Sequence, residues 1–472
     1  MVGSGPNGLA AAITLARHGQ SVLLLEANDR IGGSVRSEEL TLPGFLHDVC
    51  SSVFPMALAS PFFRTLSLEK LGLRWIHSEF AFAHPFDDGS AAVAFRSVTD
   101  TAAQLRGDKK AYIDLFSGLA EQWRELAEEF LQPLIHAPRH PLLVARFGLK
   151  ALRSASGLIA AEFETREARA LFAGACCHSF LPLEERASAA IGLMLTVMAH
   201  SVGWPIAAGG SQKITEALAS EFLQAEGEIE TNQRVEDIKE VTSRANLALF
   251  DVTPAQFLKI AGARLPASPR RALERYQYGP GVFKIDYALS EPIPWRSPEC
   301  LKAATVHLGG SFEEIALSES RVARGDHPEK PFVLVVQPSL FDTSRTPVGK
   351  HTAWAYCHVP NGSAFDMSAR IESQIERFAP GFRDCVLARN ASASGDLQKR
   401  NANLVGGDIN GGLANLRQML FRPVARWNPY ATPLDGVYLC SASTPPGGAV
   451  HGMCGFNAAR AALTNAGYWD HE

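Results

Sequence analysis

The 472-residue chain reads as an α/β protein in which a parallel sheet unit, drawn from distant stretches of sequence, is interleaved with an α+β unit bearing a mixed or antiparallel sheet and a helical cap. Three observations predict this. Gly3, Gly5 and Gly8 form a G-x-G-x-x-G loop directly before a helical stretch. The C-terminal "DGVYLCSASTPPGGAVHGMCGFNAARAAL" repeats the order strand, glycine-rich loop, helix. Between them, an Ala/Leu-rich helical block gives way to apolar alternation of period two.

Taken in order, Gly3 supplies a tight turn, Gly5 lets the backbone approach a pyrophosphate, and Gly8 lets the next helix pack closely on the sheet. Leu9–His18 reads as that helix, stopped by Gly19, with its N-terminus facing the anion. Ser21–Leu25 is a strand ending in Glu26, at the distance where a carboxylate meets ribose hydroxyls, with Ala27 beside it. Arg30, Ile31, Gly32 and Gly33 follow; a nicotinamide site needs no second glycine pair there, whereas the stretch resembles the extended signature of FAD-dependent oxidoreductases, and this resemblance implies a Rossmann-like, FAD-binding unit. Only Met1 and Val2 stand where a full strand is expected, which predicts a weakened ladder, a poorly anchored loop and weak flavin retention.

Further along, residues 110–131 carry Tyr112, Leu115, Phe116, Leu119, Trp123, Leu126 and Phe130 at helical spacing. More helix is expected through 142–161, 166–177 and 212–225, with 228–238 as strand, turn and strand, and 246–252 as a buried strand. In "GPGVFKIDYALSEPIPW", alternation sets Lys284 and Asp286 on one face and Phe283, Ile285 and Tyr287 on the other. "PFVLVVQPSLF" and "HTAWAYCHVP" are two more strands, and 371–378 is helical. The expected division is 1–75, 205–260 and 405–472 for the FAD-binding unit, with 76–204 and 261–404 for the substrate unit and its helical cap.

Composition narrows the function. A net charge of −4, with no basic run carrying interleaved aromatics, gives no basis for nucleic-acid binding. Eight cysteines without a C-x-x-C pair suggest reduced, buried thiols in a cytoplasmic protein, and no metal site is read. A loop starting at residue 3 leaves no room for a leader. The uncharged stretch from residue 187 has a compact apolar part too short for a bilayer span and is read as a buried helix, while peripheral membrane contact stays open. Oligomeric state is not read.

With these residues placed, the sequence resembles the phytoene dehydrogenase-like branch of the flavin amine oxidase and carotenoid desaturase superfamily, close to the pyridine nucleotide-disulfide oxidoreductase domain-containing protein 2 group. The resemblance rests on the opening fingerprint, residues 203–235, "GPGVFKIDYALSEPIPW", "GGDINGG" and the C-terminal glycine stretch. It implies that Gly3, Ser4, Gly5, Pro6, Asn7 and Gly8 line the pyrophosphate of FAD and that Glu26 binds the ribose. Gly32, Gly33 and Ser34 would lie near the diphosphate or flavin, Val235 at adenine, and Gly452, Met453 and Cys454 at the pyrimidine ring. Ser443, with Ser441 and Ala442, stands where many relatives carry an acidic residue near the ribityl chain.

The implied activity is FAD-dependent oxidoreduction of an apolar polyene, isoprenoid or lipid-like molecule, by dehydrogenation or isomerisation at flavin N5. Two alternatives stay open: a flavin amine oxidase, which needs an aromatic cage, and a non-enzymatic lipid- or prenyl-binding protein on the same scaffold. The catalytic group is unknown. Lys284 and Asp286 read either as an ion pair or as proton-transfer groups, and His451 either as a loop histidine or as a proton-moving group at the flavin. Cys454 reads as a packing residue, and His47 with Asp48 as shaping a loop.

Overall fold

The computed structural model describes residues 1–469. Strand Leu23–Leu25 pairs in parallel with Glu228–Glu230, and Val437–Leu439 pairs in parallel with Ala248–Phe250. Val2 joins the two pairs through parallel bridges to Leu25 and Phe250. Its N–H donates to the Leu249 carbonyl at 2.9 Å, and its own carbonyl accepts from the Asp251 N–H at 2.8 Å. On the other side, the Leu25 N–H donates to the Met1 carbonyl at 2.9 Å and the Gly3 N–H to the Leu25 carbonyl at 2.8 Å. The expectation of a poorly anchored loop is therefore corrected: two residues suffice to tie the glycine turn to both flanking strands. Beyond Met1 a cleft of about 760 Å³, lined by Ser21, Leu23, Leu247 and Leu249 among others, separates the pairs.

Helix Pro6–Arg17 begins earlier than the apolar spacing indicated, because Pro6 presets the first turn, and it ends before Gly19 at φ +74°. It packs against the C-terminal helix Met453–Asn465 so closely that a Cβ on Gly455 would lie 1.8 Å from the Asn7 carbonyl oxygen. The two ends of the chain thus meet backbone to backbone.

The second sheet has seven strands in the order Val386–Ser392, Gly281–Leu289, His351–Val359, Val333–Val336, Ala303–Leu308, Phe80–Pro85 and Ala91–Phe95. It is mixed: every pair is antiparallel except 303–308 with 80–85. Alternation divides its faces as expected. Phe283, Ile285, Tyr287, Ala353 and Cys357 pack against Ile371, Ile375 and Phe378 of helix Ser368–Phe378. The opposite face carries Val282, Leu334, Val336, Trp354 and Tyr356 together with Phe180, Leu397 and Leu404.

The cap contains Lys109–Glu121, Trp123–Phe130, Pro141–Ala151, Ala155–Glu162, Arg166–Cys176 and the buried Ala189–Ser201. The single helix expected over 110–131 breaks at Gln122, whose backbone leaves the helical region at φ −101° and ψ 28°, while the apolar face continues across the break. The helix expected over 142–161 is likewise two, the second opened by the Ser154 hydroxyl accepting from the Gly157 N–H at 3.1 Å. The pair of strands expected over 228–238 is a single strand; Asn232 turns the chain at φ +57° and Val235 follows in a loop. No described helix is long and apolar enough to cross a membrane.

Candidate FAD site

A cavity of about 660 Å³ opens over the C-terminal edge of the parallel strands. Its floor is the glycine loop Gly3–Asn7, held by the hydrogen bonds of Val2 on the Leu249 and Asp251 side and of Met1 and Gly3 on the Leu25 side. Gly3 takes φ +92°, which an L side chain rarely adopts, and a Cβ on Gly8 would lie 2.0 Å from the Gly3 carbonyl oxygen. The loop is therefore available only to this glycine spacing. Gly33, Ser34 and Val35 form one wall, Gln233 to Glu236 another, and Asn410, Gly411, Ser441, Ala442, Ala449 and Val450 close the far side.

Glu26 and Ala27 lie in the cavity wall at the end of the first strand. One Glu26 oxygen accepts from the Ser4 N–H at 3.0 Å and the Ser4 hydroxyl at 2.6 Å, the other from the Asn28 N–H at 2.9 Å and side-chain amide at 3.0 Å. The carboxylate is thus oriented by four hydrogen bonds at the edge of the cavity. Ser34 is fixed by the Asn401 amide, which donates to its hydroxyl at 2.8 Å.

Seven of the sequence-predicted cofactor residues stand outside this wall, Gly8 among them, its N–H donating to Asp251 Oδ2 at 2.9 Å. Arg30 is exposed on the surface. Gly32 is buried beneath the loop, its N–H donating to the Ser4 carbonyl at 3.1 Å. The Ser443 hydroxyl donates to the Gly411 carbonyl at 2.6 Å, and a Cβ on Gly452 would meet Phe63, Ala10 and Phe62. Met453 is buried, and the Cys454 thiol donates to the Thr444 and Gly447 carbonyls while burial pushes it up to about 12. From the C-terminal glycine stretch it is Ala449 and Val450 that reach the cavity.

His451 is buried, with Nδ1 accepting from the Met453 N–H at 3.0 Å. Burial pulls the imidazole down to about 4, so it is neutral at pH 7 and Nε2 carries the proton. That Nε2 has no partner among the described residues, and neither does Asn7 Oδ1. Asn7 lines the cavity, so its open Oδ1 beside the glycine cradle fits a polar cofactor bound there, whereas His451 lies outside the cavity wall.

Lys284 and Asp286 face the same side of the large sheet and form a buried ion pair. Lys284 also donates to the Asp48 carbonyl at 3.2 Å and lies 5.4 Å from the centre of the Trp354 ring. Its charge draws down the thiol of Cys50, in the cavity wall, against the larger upward push of burial. His47 stands 3.8 Å from Asp286, but burial and the Lys284 charge hold it at about 3, so this contact is not an ion pair.

Asp48 accepts from the Ser37 hydroxyl, the Ser52 hydroxyl and the Ser211 N–H at 2.8, 2.6 and 2.8 Å, and pairs with Arg345 at 2.8 Å. Arg345 also pairs with Asp342 at 3.1 Å. These contacts tie the hairpin Ser37–Glu39 and Leu46–Asp48 to helix Gln212–Gln224 and to the large sheet. The sequence reading missed Arg345, Asp251, Asn401 and Asn410 altogether. For Asp251 a signal existed, since it ends the buried strand assigned to the nucleotide unit.

The profile of the flavin containing amine oxidoreductase family matches residues 7–257. The chain belongs to that family, and it is an FAD-dependent oxidoreductase. It is 25% identical to pyridine nucleotide-disulfide oxidoreductase domain-containing protein 2 of Rattus norvegicus, over 97% of this chain and 92% of the relative. It is 22% identical to 4,4'-diapolycopen-4-al dehydrogenase of Metabacillus indicus, over 95% and 93%. Among solved structures, an oxidoreductase from Methanosarcina mazei aligns with a TM-score of 0.65 at 15% identity, covering 97% of both chains. A redesigned putrescine oxidase aligns at 0.63 and 18%, covering 99% of this chain and 98% of the other.

Proposed function

We propose that the protein oxidises or isomerises an apolar small molecule of polyene, isoprenoid or lipid type. Bound FAD supplies a two-electron acceptor, so the chain has to seat the cofactor, present a C–H bond to it and exclude water. One observation carries the substrate class. The sheet face opposite the Ser368–Phe378 helix is an apolar and aromatic cluster, and Leu404, with Ile409 packed beside it, extends that cluster into the cavity wall. Lys284 and Asp286 are then a charge pair that braces the wall, and His451 offers a fixed Nε2 proton on the C-terminal loop.

Amine oxidation fits less well. Trp354 and Tyr356 lie nearly parallel, 6° apart in plane, with centroids 5.8 Å apart. A guest between two rings needs about 7 Å, one carbon contact on each side. Tyr287 is on the other face of the sheet, and Trp204 donates to the Thr305 hydroxyl at 3.0 Å. Anaerobic mixing of the FAD-loaded protein with a polyene, an isoprenoid and a panel of amines tests the reading. Bleaching of the flavin band by an apolar compound alone supports it, and bleaching by amines alone overturns it.

Contact with a membrane surface belongs to the same reading. Leu142 and Leu149 of helix Pro141–Ala151 are 86% and 74% exposed, and Ile135 and Leu152 are exposed beside them. Residues 131–161 contain no Asp or Glu but include Arg139, Arg146 and Arg153, in a chain whose net charge is −4, while Lys150 is paired with Glu162. Exposed leucines flanked by cations suit an anionic lipid surface.

A further inference from the structure

Asp251 follows strand Ala248–Phe250, and the pairing of that strand with Val2 brings its carboxylate onto the glycine loop. Oδ2 accepts from the Gly8 N–H at 2.9 Å, and a Cβ on Gly5 would lie 2.6 Å from the same oxygen. Pro6 has no N–H to offer, so this contact uses one of the few donors in the first turn of helix Pro6–Arg17. An acidic side chain therefore caps the helix end at which an anionic diphosphate is expected to bind.

The groups facing Asp251 are the Glu26 carboxylate from the first strand, the Cys440 thiol from strand Val437–Leu439 and the Cys454 thiol from the C-terminal helix. The Asn403 amide donates to its main-chain carbonyl at 3.2 Å. Arg234, Lys259, Lys399 and Arg400 line the same cavity, yet none forms an ion pair with Asp251 among the described residues. Burial first, and Glu26 in addition, push its carboxyl up to about 7 against the pull of the Gly8 hydrogen bond.

We propose that Asp251 is a diphosphate-binding residue that works in its neutral form, donating its O–H to a phosphate oxygen of FAD, whereas its ionised form caps the helix and closes the anion subsite. Each FAD bound above neutral pH then takes one proton from solvent, and that proton stays on Asp251. The inference rests on the FAD assignment and goes beyond it, because it makes cofactor retention depend on pH.

The test is FAD affinity, measured by quenching of flavin fluorescence on flavin-stripped protein between pH 6.0 and 8.5. Wild type is expected to bind about 30-fold more weakly at the upper pH than at the lower. Asp251→Asn should show a flat profile and bind more tightly than wild type at pH 8.5, and riboflavin, which lacks the diphosphate, should show no such slope. Calorimetry in buffers of different ionisation enthalpy should show uptake of about one proton per FAD near pH 8 by wild type, a readout that stands even if the Asn variant does not fold. A flat wild-type profile, an Asn variant that keeps the slope, or the absence of proton uptake overturns the proposal. FAD binding by no form at any pH contradicts the cofactor assignment itself.

Discussion

Gly455 and Gly19 show how the same residue type serves two purposes. A Cβ at 455 would lie 1.8 Å from the Asn7 carbonyl oxygen, whereas one at 19 would meet nothing within 4 Å. Gly455→Ala therefore has to push the two chain ends apart, at about 1–3 kcal/mol, and is expected to lower Tm and FAD retention together. Gly19→Ala should cost only stability, about 1 kcal/mol for its left-handed backbone, and leave FAD retention unchanged. A thermal melt and flavin content measured on both variants check this. Arg345 presents a different balance, because its side chain neutralises Asp48 and Asp342 with no solvent to share the task. Arg345→Ala should cost about 3–5 kcal/mol at pH 7 by leaving buried carboxylates unpaired. Asp48 is held below its ordinary 3.8, so the stability it contributes is present above that value and lost as pH falls through the lower folded one. The penalty of the variant, read by denaturant titration, should accordingly shrink below pH 4. The glycine loop and Glu26 were legible because spacing from a fixed motif locates them, whereas Val235 was expected only through the family resemblance. Arg345 was not, because nothing in the sequence around it announces a partner 297 residues away.

At the scale of elements, the parallel unit depends on Val2. It lies between two strand pairs that otherwise stand apart: its own N–H and carbonyl bond to the Ala248–Phe250 side, while the Met1 carbonyl and the Gly3 N–H on either side of it bond to Leu25. Val2→Pro removes the donor to Leu249 and leaves a buried acceptor open, a cost of about 1–3 kcal/mol, and should weaken FAD binding because the loop loses one of its two anchors. Equilibrium dialysis with FAD alongside a melt separates the two effects; unchanged affinity would mean the loop is held some other way. Period-two alternation made the strand at 281–289 readable, and the opposite faces of Lys284 and Ile285 came with it, while the strands at 333–336 and 351–359 were readable as β-rich runs separated by turn signals. Breaks inside amphipathic stretches were not readable. At Gln122 the apolar face carries on while the backbone turns, so the periodicity that indicates a helix is blind to the interruption. The segment after Glu230 misled for a related reason: Val235 has strand chemistry but faces a cavity wall, where no neighbouring strand pairs with it.

For the whole molecule, burial of imidazoles sets the acid limit. Burial holds His84, His178, His200 and His451 at about 4 and His47 at about 3, against an ordinary 6.5. The unfolded chain takes up protons below 6.5 that the folded chain refuses, so stability is full above that value and falls as pH drops towards 4, by about 1.4 kcal/mol per imidazole per pH unit. A Tm profile from pH 7.5 to 4.5 should descend steeply below 6.5, and a level profile would contradict the burial of these rings. The family and the interleaved order of the chain were legible from its two glycine-rich ends. The cavity between them was less so, because its walls come from many separate stretches, from Val2 to Val450, that converge only on folding. The central claim is that these stretches form one site for FAD, and the visible absorption spectrum of the purified protein tests it most directly. A flavin band that co-elutes at about one FAD per chain, returns on adding FAD after stripping and bleaches with dithionite is the predicted result; a colourless protein that retains no added FAD in dialysis would contradict it.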